Sequence, residues 1–290
     1  MEHIEIFHRK CLKGILNLSQ SAPTASLHFI LGELPMEAKI HRDMFALFYS
    51  IWSNPNLKIF KIVKYLLETS SEHSRSWAMH VRHISKLYNM EDPLILLMKD
   101  PPSKSTYKEY IKTKITAFHE RELRAEALQK DKIKYFNVSL IGLSGRLHPA
   151  ITDIVTTHSV KKMRPHIKML LGNYLTFEEK SAQSGGSPYC RLCSESQQVE
   201  SLEHLISKCE ALAQTRNKIL NQMTDILNES GLNIEIRNLS HSEITQFLID
   251  PSSLNLKKRV SLQHPCLPKL FQVSCDFCYF IDKSRTKSMS

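Results

Sequence analysis

Apolar positions in the first 180 residues recur at three- and four-residue intervals, the repeat of a helix with one buried face. From His41 to Ser53 that spacing places Met44, Leu47, Phe48 and Ile51 on one stripe. Asn54-Pro55 closes the element, because the residue before a proline is driven out of helical backbone space. Leu57 to Leu67 and Ser76 to Tyr88 repeat the pattern. Asp100-Pro101-Pro102-Ser103 interrupts it. Tyr107 to about Gln129, rich in Glu, Lys, Arg and Ala, then reads as a long spine or connector helix, with Glu120 and Arg124 at i,i+4 spacing.

Residues 136–157 are less regular, and Val138 to Leu143, ended by Ser144-Gly145, reads as a short strand or a buried turn. His158 to Leu171 is helical again and stops at Gly172-Asn173, a helix C-terminal signal. Ser181 to Pro188 (SAQSGGSP) reads as a linker. Beyond it come a Cys-bearing segment, a helix from about Ala211 to Asn228, and Ser240 and Glu243 at capping-box spacing before the apolar run Ile244 to Ile249. A final apolar stretch, Leu267 to Ile281, is expected to be helical and the tail SRTKSMS to fray. The expected organisation is a mostly α chain divided into residues 1–180, 181–215 and 216–290.

Composition supports that class. The 290 residues are 42% apolar and 23% charged, which excludes a disordered chain. Eight glycines and twelve prolines are too few to punctuate the many turns of an all-β sandwich. No apolar run approaches the ~18 residues of a membrane span, so no membrane partner is expected. The opening MEHIEIFHRK has early acids and no apolar signal region. An intracellular protein, nuclear or cytoplasmic and not secreted, is the expectation. The seven cysteines fit the same compartment, since an odd number suits reduced thiols and a metal better than a disulfide framework.

The net charge of +10 is uneven. Residues 1–180 carry 27 Lys and Arg against 18 acids, whereas residues 181–290 carry 12 against 11. A basic first part calls for an anionic partner or is simply a solvated surface. Between residues 132 and 168 the cations Lys132, Lys134, Arg146, Lys161, Lys162, Arg164 and Lys168 meet one acid, Asp153. Four of them crowd one helix beside His158 and His166. RNA or single-stranded DNA is the partner such a surface suits, and about five phosphate contacts on a single strand would give a log–log salt slope of about −3.5. Tyr174, Phe177 and Tyr189 are placed to stack on unpaired bases, unless Tyr174 and Phe177 merely pack the helix end.

One motif is sharp. Cys190, Cys193, His204 and Cys209 follow C-x2-C-x10-H-x4-C. Two cysteines two residues apart turn around one ion, and a second pair completes a tetrahedron. Three thiolates and an imidazole suit Zn²⁺ and leave no open position for water, so the centre would be structural. Arg191 and Lys208 are placed to offset its net −1 charge. The competing reading is buried cysteines in an ordinary helical domain. His264, Cys266, Cys275 and Cys278 form a second, irregular set, which Phe271, Val273, Phe277 and Phe280 make look like a core helix. His80 and His83 have no carboxylate or thiol beside them and read as surface residues. No Ser-nucleophile elbow, zinc-protease motif, phosphate-cradling loop or dinucleotide fingerprint occurs.

The order of these features resembles a known family. Phe7 to Trp52, with its basic start, the Ser21-Ala22-Pro23 turn and the segment LGELP, is similar to the region after the polymerase core of jockey-like non-LTR retrotransposon reverse transcriptases. Met163 to Phe177 (MRPHIKMLLGNYLTF) is similar to the element that precedes that family's CCHC zinc knuckle. The C-x2-C…H-x4-C motif follows where the knuckle is expected, with Glu203 before His204. The resemblance spans roughly residues 5–225. It implies a helical thumb- or connector-like region and a zinc knuckle that bind nucleic acid, with a polymerase core upstream in the intact element; the C-terminal helices that follow match no known element. The chain contains no Asp-Asp pair for polymerase metals and no Pro-Asp of the associated nuclease. It is therefore expected not to be an enzyme by itself. The alternative expectation is an inert or domesticated helical remnant that engages a protein.

Overall fold

A computed structural model describes residues 2–130, 133–138, 143, 145, 147–151, 160–193, 197–232, 234, 236–254 and 264–288. Their architecture is mostly α, as the spacing of apolar residues required. Among the described residues the extended structure amounts to one isolated antiparallel bridge, Tyr189 to Val199. Lys132, Arg146, Asp153 and His158, and most of Val138 to Leu143, lie outside the described residues. Val138 itself is in a buried turn. Contacts divide the chain into two compact units, Met1–His8 with Leu34–Leu123, and Arg9–Glu33 with Arg124–Ser290. Neither division falls at residue 181. The Cys-bearing segment shares a unit with the helices on both sides of it.

The first unit is built on α3 (Met36–Trp52), α4 (Lys58–Thr69), α5 (Trp77–Leu87), the short α6 (Pro93–Leu97) and α7 (Lys104–Leu128) up to Leu123. The N-terminal residues of α1 (Glu2–Ile15) belong to it, and Glu5 Oε2 accepts from the Met36 backbone N–H at the start of α3 at 2.9 Å. In α3 the buried stripe is His41, Phe45, Phe48 and Trp52 with Ile51, while Leu47 is half exposed. Two neighbouring stripes of α3 are apolar, and the one carrying three aromatic rings has more area to bury. Ser76 caps α5 by accepting from Met79 N, and Asp92 caps α6 through Leu94 N. His41, Tyr88 and His119 form a buried chain, with the Tyr88 hydroxyl 2.7 Å from His41 Nδ1 and 3.0 Å from His119 Nε2. Burial, and then the neighbouring His80, pushes the His41 imidazole down to about 4, so it is neutral at pH 7.

The second unit contains α2 (Thr24–Leu31), α8 (Val160–Leu170), α9 (Phe177–Ser184), α10 (Ala213–Glu229), α11 (His241–Ile249) and α12 (Cys266–Lys287). Helix α12 is its centre and packs on α8, α10 and α11. Leu267, Leu270, Phe271, Phe277 and Ile281 of α12 are wholly buried, alongside Ile167, Leu170, Leu227 and Leu248. His166 is buried on α8 with Nε2 2.7 Å from the Ile249 carbonyl, which fixes the proton on that nitrogen. It therefore does not extend the basic surface. The stop at Gly172 is as expected, with Gly172 at φ 62° and the Asn173 N–H donating to Lys168 O at 2.7 Å.

Two expectations are corrected here. Residues 181–184 are the last turn of α9 and not linker; a Thr176–Glu179 capping box starts that helix, and Gly185 at φ 76° ends it. The tail does not fray at Ser284, because α12 continues to Lys287 and holds Arg285 in the interior.

Candidate metal centre

A short hairpin delivers the first two ligands. Cys190 N donates to Gln198 O and Glu200 N to Pro188 O, both at 2.8 Å, on either side of the Tyr189–Val199 bridge. Cys190 is thereby fixed at the base and Cys193 falls in the turn beyond it. The second pair comes from His204–Lys208, a single turn of π-helix whose start is held by Ser201 Oγ accepting from His204 N at 3.1 Å. Cys209 N donates back to the His204 carbonyl at 2.6 Å, the i→i+5 bond of that winding. The wide turn is what makes H-x4-C work. At the ~100° per residue of an α-helix, residues five apart diverge by about 140°. The π winding, at roughly 80° per residue, leaves them about 40° apart.

The four ligand atoms, three sulfurs and one imidazole nitrogen, all lie within 4.8 Å of one another, and Cys193 Sγ is 3.2 Å from His204 Nε2. A tetrahedron built on ~2.3 Å sulfur and ~2.1 Å nitrogen bonds has edges of roughly 3.6–3.8 Å, so small side-chain shifts let one ion touch all four. Cys190, His204 and Cys209 are buried and Cys193 is half-buried. This is the one group of its kind among the described residues, and it can hold a metal ion. The protons respond to the crowding. Hydrogen bonds from Cys209 first, then from His204 and nearby backbone, pull the Cys190 thiol far below its ordinary value, while Cys209 is pushed up by Cys190 and by burial. One thiolate forms readily and makes the next harder, which is the electrostatic problem a divalent cation relieves.

The charges expected around the centre are redistributed. Lys208 pairs with Glu203 at 2.6 Å, and the Arg191 guanidinium lies 5.0 Å from the Phe177 ring centroid. A different cation, Arg216 of α10, donates to the Cys209 carbonyl at 3.1 Å. Sequence reading also missed Glu200. It is fully buried, accepts from Phe177 N and from Arg285 Nε, both at 2.8 Å, and so ties the hairpin to the start of α9 and to α12. Arg285 further covers the rings of Phe177 and Tyr174 at 4.5 and 5.4 Å. Only its place two turns beyond Phe277 in an apolar helix pattern could have signalled it.

The basic residues do not all gather. Lys161, Arg164 and Lys168 lie on one stripe of α8, and none has an ion-pair partner among the described residues. Lys162 points about 100° away from that stripe and is 3.7 Å from Asp276 of α12. Lys134 sits 4.7 Å from the Tyr135 ring in a cleft that also holds Glu178, Glu179 and Glu203. Tyr174 and Phe177 are buried, with the Tyr174 hydroxyl donating to Asp282 at 3.1 Å, so they pack the helix end and do not present a face for stacking. Tyr189 remains 44% exposed. The second Cys/His set does not converge. Cys275 and Cys278 are buried within α12, while His264 Nδ1 meets Cys266 Sγ alone, at 3.0 Å. His80 and His83 are exposed, as expected.

No helix among the described residues is long and apolar enough to cross a membrane. No family model, curated protein or solved structure matches the chain.

Proposed function

We propose that the chain is a nucleic-acid-binding module of the non-LTR reverse-transcriptase kind, in which a structural Zn²⁺ held by Cys190, Cys193, His204 and Cys209 braces a basic helix against the phosphates of RNA or single-stranded DNA. The convergence of three sulfurs and one imidazole within 4.8 Å carries this reading. Such a closed donor set favours Zn²⁺ over harder ions and leaves no position for a reacting water. The module has no chemistry of its own. Lys161, Arg164 and Lys168 supply the phosphate contacts and Tyr189 offers a face to an unpaired base.

Two measurements test it. Metal analysis of the purified protein is expected to give one zinc per chain, lost in Cys193→Ser; equal zinc in both removes the ligand assignment. Binding of a labelled single-stranded RNA is expected to weaken with salt at a log–log slope of about −2, from three contacts at ~0.7 each. The shallower value replaces −3.5 because it counts only the Lys161, Arg164 and Lys168 stripe: Lys162 and Lys134 sit beside acids, and Lys132 and Arg146 lie outside the described residues. Replacing Lys161, Arg164 and Lys168 with Gln should flatten the slope. If the triple variant binds unchanged, or the intact protein binds no nucleic acid, the remnant reading takes its place.

A further inference from the structure

The first unit carries a cleft of about 300 Å³ whose walls are two helices. Arg42, Asp43 and Tyr49 of α3 face Lys104, Tyr107 and Lys108 of α7. Three cations meet one acid there, and none of Arg42, Lys104 and Lys108 has an ion-pair partner among the described residues. Their placement works against the helix. Lys104 and Lys108 stand one turn apart, where like charges repel. Lys104 also opens a 25-residue helix that has no acid in its first turn, the end at which the macrodipole disfavours cations. An anion in the cleft reverses both penalties.

The other half of the cleft is flat and apolar. Tyr49 and Tyr107 stack with centroids 5.1 Å apart and planes 25° from parallel. The Tyr49 hydroxyl donates to the Pro102 carbonyl at 2.8 Å, which pins the ring. Tyr107 is buried and Tyr49 only half-buried. Ala46 and Ile111 complete the apolar wall.

We infer that this cleft binds a phosphate monoester carried on a flat ring, of the nucleoside monophosphate class. The lining charge of two net positives matches the dianion of a monoester (about −2 near pH 7) better than the single charge of an internal diester. Phosphate oxygens take the Lys104, Lys108 and Arg42 donors. The ring lies against the tyrosine pair, and Asp43 accepts from a hydroxyl or amine of the ligand. The volume, at the lower end for ligand pockets of ~300–1,000 Å³, admits one nucleotide. The source is either a free mononucleotide or the 5′-phosphorylated end of a strand.

Calorimetric titration of the full chain with AMP, adenosine and inorganic phosphate tests the assignment. AMP is expected to bind about tenfold more tightly than either of the others, since each lacks half of the complement. The exposed pair Lys104→Gln/Lys108→Gln, checked for an unchanged circular dichroism spectrum, should lose about tenfold or more for AMP. Tyr49→Leu should bring AMP toward the level of phosphate. The Lys161, Arg164 and Lys168 triple variant should bind AMP as the parent does, so failure here and failure of the nucleic-acid reading are separate results. Titration with pApA and ApA identifies the source. Binding of pApA at least as tight as AMP marks a strand end, and weaker binding marks a free nucleotide. No saturation by AMP, equal binding of ApA and pApA, or unchanged binding by the lysine variant overturns the inference.

Discussion

Glu200 and Arg285 form an ion pair shut away from water, with exposures of 0% and 6% at the side chain. Burial pushes the Glu200 carboxyl up, and the guanidinium and the Phe177 N–H offset that cost. Removing the cation leaves a carboxylate with nowhere to go, so Arg285→Met is expected to cost about 3 kcal/mol in urea denaturation. Adding Glu200→Gln to that variant should restore part of the loss, because the buried charge is then gone. Asp250 is a second buried acid, with no cation paired to it among the described residues. It accepts from Asn137 N at 2.9 Å, Ser252 N at 3.0 Å and the Ser252 hydroxyl, yet desolvation still raises it from 3.8 to about 6. A carboxyl raised on folding binds its proton more tightly in the native state. Its contribution is therefore fully present below about pH 4 and lost as pH rises through 6. The stability of the parent minus that of Asp250→Asn is expected to fall by about 3 kcal/mol across that window; a flat difference would show that the group does not titrate there.

Among the elements, α11 starts with the reciprocal pair anticipated from its spacing: Ser240 Oγ accepts from Glu243 N at 3.3 Å, and Glu243 Oε2 accepts from Ser240 N at 2.9 Å. Ser240→Ala should lower stability by about 1 kcal/mol in thermal denaturation, and Ser240→Asp should restore most of it. That cap was legible because it is local, written in four residues. The same holds for the stops at Asn54-Pro55 and Gly172 and for the convergence of Cys190, Cys193, His204 and Cys209, whose spacing is itself the constraint. What escaped the sequence depends on partners far along the chain. The choice between two apolar stripes on α3 rests on where α4 and α5 lie. The ion pair between Glu200 and Arg285 joins positions 85 residues apart. Lys162 looked like part of the basic patch until Asp276 of α12 was placed beside it. The last turn of α9 looked like linker because Ser, Ala and Gln before two glycines carry no period, whereas its start was set by the Thr176–Glu179 box.

At the scale of the molecule, the two units differ in how each is held together. The first relies on aromatic packing around Phe45, Phe48, Trp52 and Tyr88, with no candidate ion among its described residues. In the second, the described residues of the segment from Pro188 to Cys209 have a single bridge and a single π turn for regular structure, so an ion held by the Cys/His cluster would supply much of its order. Both tryptophans, Trp52 and Trp77, belong to the first unit, so their fluorescence reads that unit, while the far-ultraviolet helix signal reads both. Chelation at neutral pH should therefore lower the midpoint followed by circular dichroism more than the midpoint followed by tryptophan emission. Adding zinc back should close the gap. Binding of an ion at a hundred times its dissociation constant is worth about 2.7 kcal/mol to the state that holds it, enough to separate the two curves. Coincident curves before and after chelation would mean that the four ligands, although convergent, hold nothing the fold depends on.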